Sequence, residues 1–186
     1  MSRLCLTLAA MVLIVSVAFA QDKPQKESYT AVAMGTGGAV GAKSMMFDFY
    51  ITKYTTDEEV QQLAQLLKDK GQDALRGAME KLDAGRIRPV SSTGNQIAVA
   101  RKRVVDGQTI ITIVTARYMS FTELRRNNRI TDYPFGFLQV KLNEKGEGTG
   151  QIMAACKLRF DKKSGKYEIE SYGNQYVKAT NVRPLK

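Results

Sequence analysis

Apolar and polar positions alternate with period two from Met45 to Thr52. Met45, Phe47, Phe49 and Ile51 fall on one face; Met46, Asp48, Tyr50 and Thr52 fall on the other. In aromatic and β-branched residues that rhythm predicts a half-buried strand. The period then changes. Val60, Leu63, Leu66 and Leu67 recur at helical spacing, and Leu75, Ala78, Met79 and Leu82 resume the stripe beyond Gly71. Thr56-Asp57-Glu58-Glu59 reads as a capping box, with acids crowded where the helix dipole favours them. Gly85 suits the C-terminal cap. The spacing predicts two short helices, or one broken at Gly71.

From Arg86 onward the alternation returns. Segments 96–105 and 108–117 flank Asp106-Gly107, a strong hairpin turn. Pairing across it sets Ile97 near Ala116, Val99 near Val114 and Arg103 near Ile110. Further strands are expected over 135–142, 150–160, 167–172 and 175–182, joined by turn-rich connections. Along 150–160, Ile152, Ala154, Cys156, Leu158 and Phe160 share a face, while Gln151, Lys157 and Arg159, with Met153 and Ala155, lie on the wetter one. One dry and one wet face marks an antiparallel sheet. Residues 29–34 read as a first strand and 119–132 as a long loop. The predicted class is α+β: a mostly antiparallel, curved sheet or partly open barrel with one two-helix insert.

The N-terminus changes where this domain is expected to work. An apolar run over 4–20 follows Arg3 and closes on Ala18-Phe19-Ala20, the pattern of a secretory signal peptide cleaved before Gln21. The run is at the short limit for a membrane span, and Cys5 is misplaced for a lipoprotein. The organisation expected is therefore a signal peptide (1–20), a flexible tether (21–28) and one α+β domain (29–186). Export to the periplasm or beyond follows, with no stable membrane insertion after cleavage.

Charge narrows the partners. Lys and Arg number 28 against 18 acids, a net +10, and the leader removes only Arg3. Such a balance favours anionic partners. The chain holds no histidine, which removes the commonest general base and neutral metal ligand. Once Cys5 leaves with the leader, Cys156 has no partner for an intramolecular disulfide. Its apolar strand face makes it a core residue.

Three groups of residues carry candidate chemistry. Gly37 to Ser44 nearly fits a phosphate loop, but Ala42 replaces the second glycine and the segment leads into a strand, not a helix. Arg125, Arg126 and Arg129, with Asn127 and Asn128, form the densest basic cluster. Guanidinium forks suit carboxylates and phosphates, and binding residues concentrate on loops, so these three are the candidate anionic-partner site. Asp48, Glu123 and Asp132 are the acids placed for a carboxylate-dependent hydrolase, if two of them share a cleft.

Gly71-Gln72-Asp73-Ala74-Leu75, Asp132-Tyr133-Pro134-Phe135 and Gly146-Glu147-Gly148 resemble marks of a group of small exported bacterial proteins with no assigned activity. The likeness covers most of 45–183 and implies export and a single domain. The function expected is a non-enzymatic binding module for an anionic envelope component or an acidic protein. The alternatives are a carrier of an apolar ligand held between sheet and helices, and the carboxylate hydrolase. No cofactor, metal or nucleic acid is expected; the oligomeric state is open.

Overall fold

A computed structural model describes residues 26–35, 44–90, 92–119, 132–174 and 176–185. Its elements are β1 (Glu27–Met34), β2 (Ser44–Ile51), α1 (Asp57–Met79), β3 (Gly85–Pro89), β4 (Asn95–Val105), β5 (Gln108–Thr115), β6 (Phe135–Leu142), β7 (Gly148–Asp161), β8 (Lys166–Ser171) and β9 (Val177–Pro184). The strands run in the order β6-β5-β4-β3-β2-β1-β9-β7, and β7 pairs back onto β6. The sheet thus closes into an eight-strand barrel whose pairings are all antiparallel. β8 lies outside the ring, paired to the C-terminal half of β7.

This corrects the α+β expectation. The sheet is a closed barrel, not an open curve, and the helical part is one helix rather than a two-helix insert. That helix bends at Gly71, whose φ of 81° and ψ of −174° are not helical. Such a conformation belongs almost to glycine alone. The capping box is present: Thr56 accepts from the Glu59 backbone N–H, and the Glu59 carboxylate accepts from the Thr56 N–H at 2.8 Å. Closure rests on β9, which pairs with β1 from the other end of the chain and with β7 across the intervening β8, pairings that local periodicity does not encode.

The strands also begin and end elsewhere than expected. β1 starts at Glu27, so the expected tether gives up its last two residues to the barrel. β3 is a short strand that the alternation did not single out. In the β4–β5 hairpin Val99 faces Val114 and Arg103 faces Ile110 as predicted, but a bulge moves Ile97 opposite Thr115. A second bulge, on β7 between Met153 and Cys156 opposite Phe137 and Phe135, reverses the facing of β7 partway along.

Two cores result. The barrel interior holds Phe47, Phe49, Ile51, Ile97, Ile111, Ile113, Leu138, Val140 and Ile152, all fully or almost fully buried. Side chains filling the interior is what an eight-strand barrel permits. The second core lies between α1 and the outer wall: Leu67, Leu75 and Met79 of the helix against Val99, Phe135, Met153 and Cys156. The helix leaves β4, reaches β7 near its bend, and returns toward β3 and β4. Arg101 holds Asp57 at the start, Gln72 accepts from the Leu158 N–H at 3.1 Å, and Gln96 donates to the Leu82 carbonyl at 2.6 Å.

Candidate functional site

Register divides the outer wall of the barrel into rows, because directly paired residues point the same way. Val99, Val114, Phe137 and Met153 form one outward row across β4, β5, β6 and β7. It is apolar and lies in the core under α1. Two residues nearer the Asp106-Gly107 turn, Arg101, Thr112, Gln139, Gln151 and Lys178 form the next row, which extends onto β9. Beyond it come Arg103, Ile110, Lys141 and Thr149. None of these nine residues is buried.

Those two bare rows contain four cations and no acid. Arg101 is engaged: it donates to the Thr55 carbonyl at 2.8 Å and pairs with Asp57. Arg103, Lys141 and Lys178 make no ion pair with any described residue. The cations sit on β4, β6 and β9, every second strand of the wall. Two strand spacings put neighbouring cations roughly 10 Å apart. Thr112, Gln139 and Gln151 lie between Arg101 and Lys178, with Gln139 donating to Thr112 Oγ1 at 3.1 Å, and Ile110 lies between Arg103 and Lys141.

At the hairpin end the barrel mouth is closed by a polar cluster. Glu27 accepts from Lys102 at 2.7 Å, from Tyr29 at 2.8 Å and from Tyr54 at 2.8 Å. Burial pushes the Glu27 carboxyl up, but these three donors and the Lys102 charge outweigh it and hold the group below its ordinary range. Burial and the Glu27 charge push both tyrosine hydroxyls far up. Tyr29 stacks on Phe49 with ring centroids 5.0 Å apart. Every member is satisfied by another, so the cluster reads as a plug that seals the interior.

The expected site residues fall in separate places. Arg125, Arg126, Arg129 and Glu123 lie outside the described residues, as do the expected signal peptide and 37–43 of the phosphate-loop-like stretch; Ser44 opens β2. The chain departs toward the arginines after Met119, at the barrel end opposite the Asp106-Gly107 turn. Asp48 is buried on the outward side of β2, where Tyr50 donates to it at 3.3 Å and Arg88 donates to Tyr50 at 3.1 Å. Asp132 is exposed just before β6. In the ring, β2 stands four strands from β6, so the fold holds Asp48 and Asp132 on opposite sides of the barrel.

Cys156 is buried and burial pushes its thiol up to about 12. The β6–β7 bulge, however, takes it off the face of Ile152 and places it with Phe135 under α1. Between helix and sheet, Leu67, Leu75 and Met79 pack on Val99, Phe135 and Met153. A cavity of about 290 Å³ opens into that layer, lined by Met79 of the helix and by Ala98 and Ala116 of the wall, together with Glu80, Arg86 and Gln96. A groove of about 640 Å³ runs along β1 and β9 with Val32, Met46, Glu147 and Arg183 on its sides. Among the described residues no group of His, Cys, Asp or Glu is placed to hold a metal ion, and no helix is long and apolar enough to cross a membrane.

The bare rows were not legible as a site. Arg101, Lys102 and Arg103 are adjacent in sequence, but Lys141 and Lys178 join them only through strand pairing. Among the described residues, the fold and wall define a closed antiparallel β-barrel with one external α-helix and a basic half-wall that is exposed or half-exposed. No protein-family model, no curated protein and no solved structure matches the chain.

Proposed function

We propose that this chain is an exported, non-enzymatic binding module for an anionic partner in the envelope or outside the cell. The observation that carries the reading is the pair of acid-free rows with three cations unneutralised by any described residue. In an antiparallel barrel whose interior is filled, the outer wall is the surface left for a partner. Charge of one sign over such a wall attracts anions over distances of about a Debye length, ~8 Å at physiological salt. The expected leader supplies the export, and Arg125, Arg126 and Arg129 remain proposed contributors to the same attraction.

Elution from a sulfonate cation-exchange resin tests it. The triple change R103Q/K141Q/K178Q is expected to elute at clearly lower salt than K162Q/K163Q/K166Q, which removes three charges from the turn between β7 and β8. The triple change R125Q/R126Q/R129Q measures the share of the loop. If all three variants elute together, net charge alone governs the attraction and neither surface is a site.

A further inference from the structure

We infer that the bare wall takes a flexible acidic polysaccharide laid across the strands, a refinement that rests on the anionic-partner reading above. Geometry excludes a single small anion. Donors for one anion must converge within hydrogen-bond reach, whereas Arg103, Lys141 and Lys178 stand on alternate strands, roughly 10 Å apart. Each cation can hold only its own anionic group.

Curvature disfavours a flat surface. From β4 through β5, β6 and β7 to β9 is four steps in a ring of eight strands, half the circumference. A planar lipid surface touching Arg103 cannot also reach Lys178; a flexible chain can follow the wall. Charge density disfavours nucleic acid. Duplex DNA carries one charge per ~1.7 Å of axis, far denser than the cations here, and single strands are gripped by aromatic stacking. The two rows contain no aromatic residue. They offer instead Thr112, Gln139 and Gln151 between Arg101 and Lys178, amides and a hydroxyl suited to sugar hydroxyls, and Ile110 between Arg103 and Lys141. A polymer of uronate sugars, carboxylates carried on a hydroxyl-rich backbone, matches a wall of separated cations with neutral hydrogen-bonding groups nearby.

The experiment measures binding of the exported chain to three probes: sodium alginate, an oligo-dT single strand, and phosphatidylcholine vesicles containing phosphatidylglycerol. Alginate is expected to bind best and to be released by salt. R103Q/K141Q/K178Q is expected to weaken alginate binding by about tenfold or more, and K162Q/K163Q/K166Q by less than about threefold. Circular dichroism and a thermal melt verify that both variants are folded. Equal losses from the two triples overturn the wall as the site. Tighter binding to oligo-dT or to the vesicles overturns the polysaccharide and leaves the anionic reading standing. Failure to bind any probe, together with no retention on the sulfonate resin, overturns both.

Discussion

The outer wall of this barrel carries two regions of opposite chemistry on the same strands. Val99, Val114, Phe137 and Met153 lie in the layer under α1, while, two residues along each strand, Arg101, Thr112 and Gln139 are half-exposed and Gln151 is exposed. The backbone is the same and the facing is the same. What differs is whether the helix lies above. A row under a helix must be apolar to gain from leaving water, at about 1.5–3 kcal/mol per large side chain. A row in water is free to carry charge, and here it carries one sign only. One half of the wall therefore holds the fold together and the other half is available to a partner.

The largest expected effect breaks the covered half. Phe135 is fully buried in the layer under α1, so Phe135→Ala should cost about 3–5 kcal/mol in urea unfolding. A cost near zero would show that the layer collapses around the gap, or that α1 does not seal it. Next comes the bend that lets one helix cover two parts of the wall. Gly71→Ala forces a side chain into a backbone conformation with φ 81° and should cost about 1–3 kcal/mol. No clash is involved, since no atom lies within 4 Å of the added carbon; the cost is conformational. Thr56→Ala removes the cap from which the helix starts and should cost about 1 kcal/mol.

Acidification sharpens the comparison at the mouth. The Glu27 carboxyl is held below its ordinary 4.5 in the fold. A lowered folded value gives stability that is fully present above the unfolded value and lost as pH falls through the folded one. The urea midpoint should therefore drop on acidification from about pH 4.5 downward, and Glu27→Gln should flatten part of that drop. The smallest effect on stability belongs to the bare half. Each of R103Q, K141Q and K178Q should change unfolding free energy by no more than about 0.5 kcal/mol, while lowering retention on the sulfonate resin. Loss of stability without loss of retention would reverse the roles assigned to the two halves.

Parts of this were legible before any coordinates. The capping box at Thr56, the break at Gly71, the Asp106-Gly107 hairpin and the inward set Phe47, Phe49 and Ile51 all follow from spacing, because each rests on residues a few positions apart. The facing of Cys156 departs from simple alternation because a bulge in the β6–β7 pairing turns β7 over, and a bulge leaves no mark in that alternation. The candidate site was legible only as charge. The arginine cluster at 125–129 stands out as a run, whereas Lys141 and Lys178 are single lysines in ordinary strands.

The sequence by itself determined the local elements, the net charge of +10 and the absence of histidine, since these depend only on neighbouring side chains and on counting. Tertiary structure alone decided that β9 returns to β1 and, past β8, to β7, that one helix packs over one row and not the next, and that Arg103, Lys141 and Lys178 share a wall. Closure of a barrel is settled by pairing between strands far apart in the chain, where the gain from burying an interior outweighs the loop entropy of bringing them together.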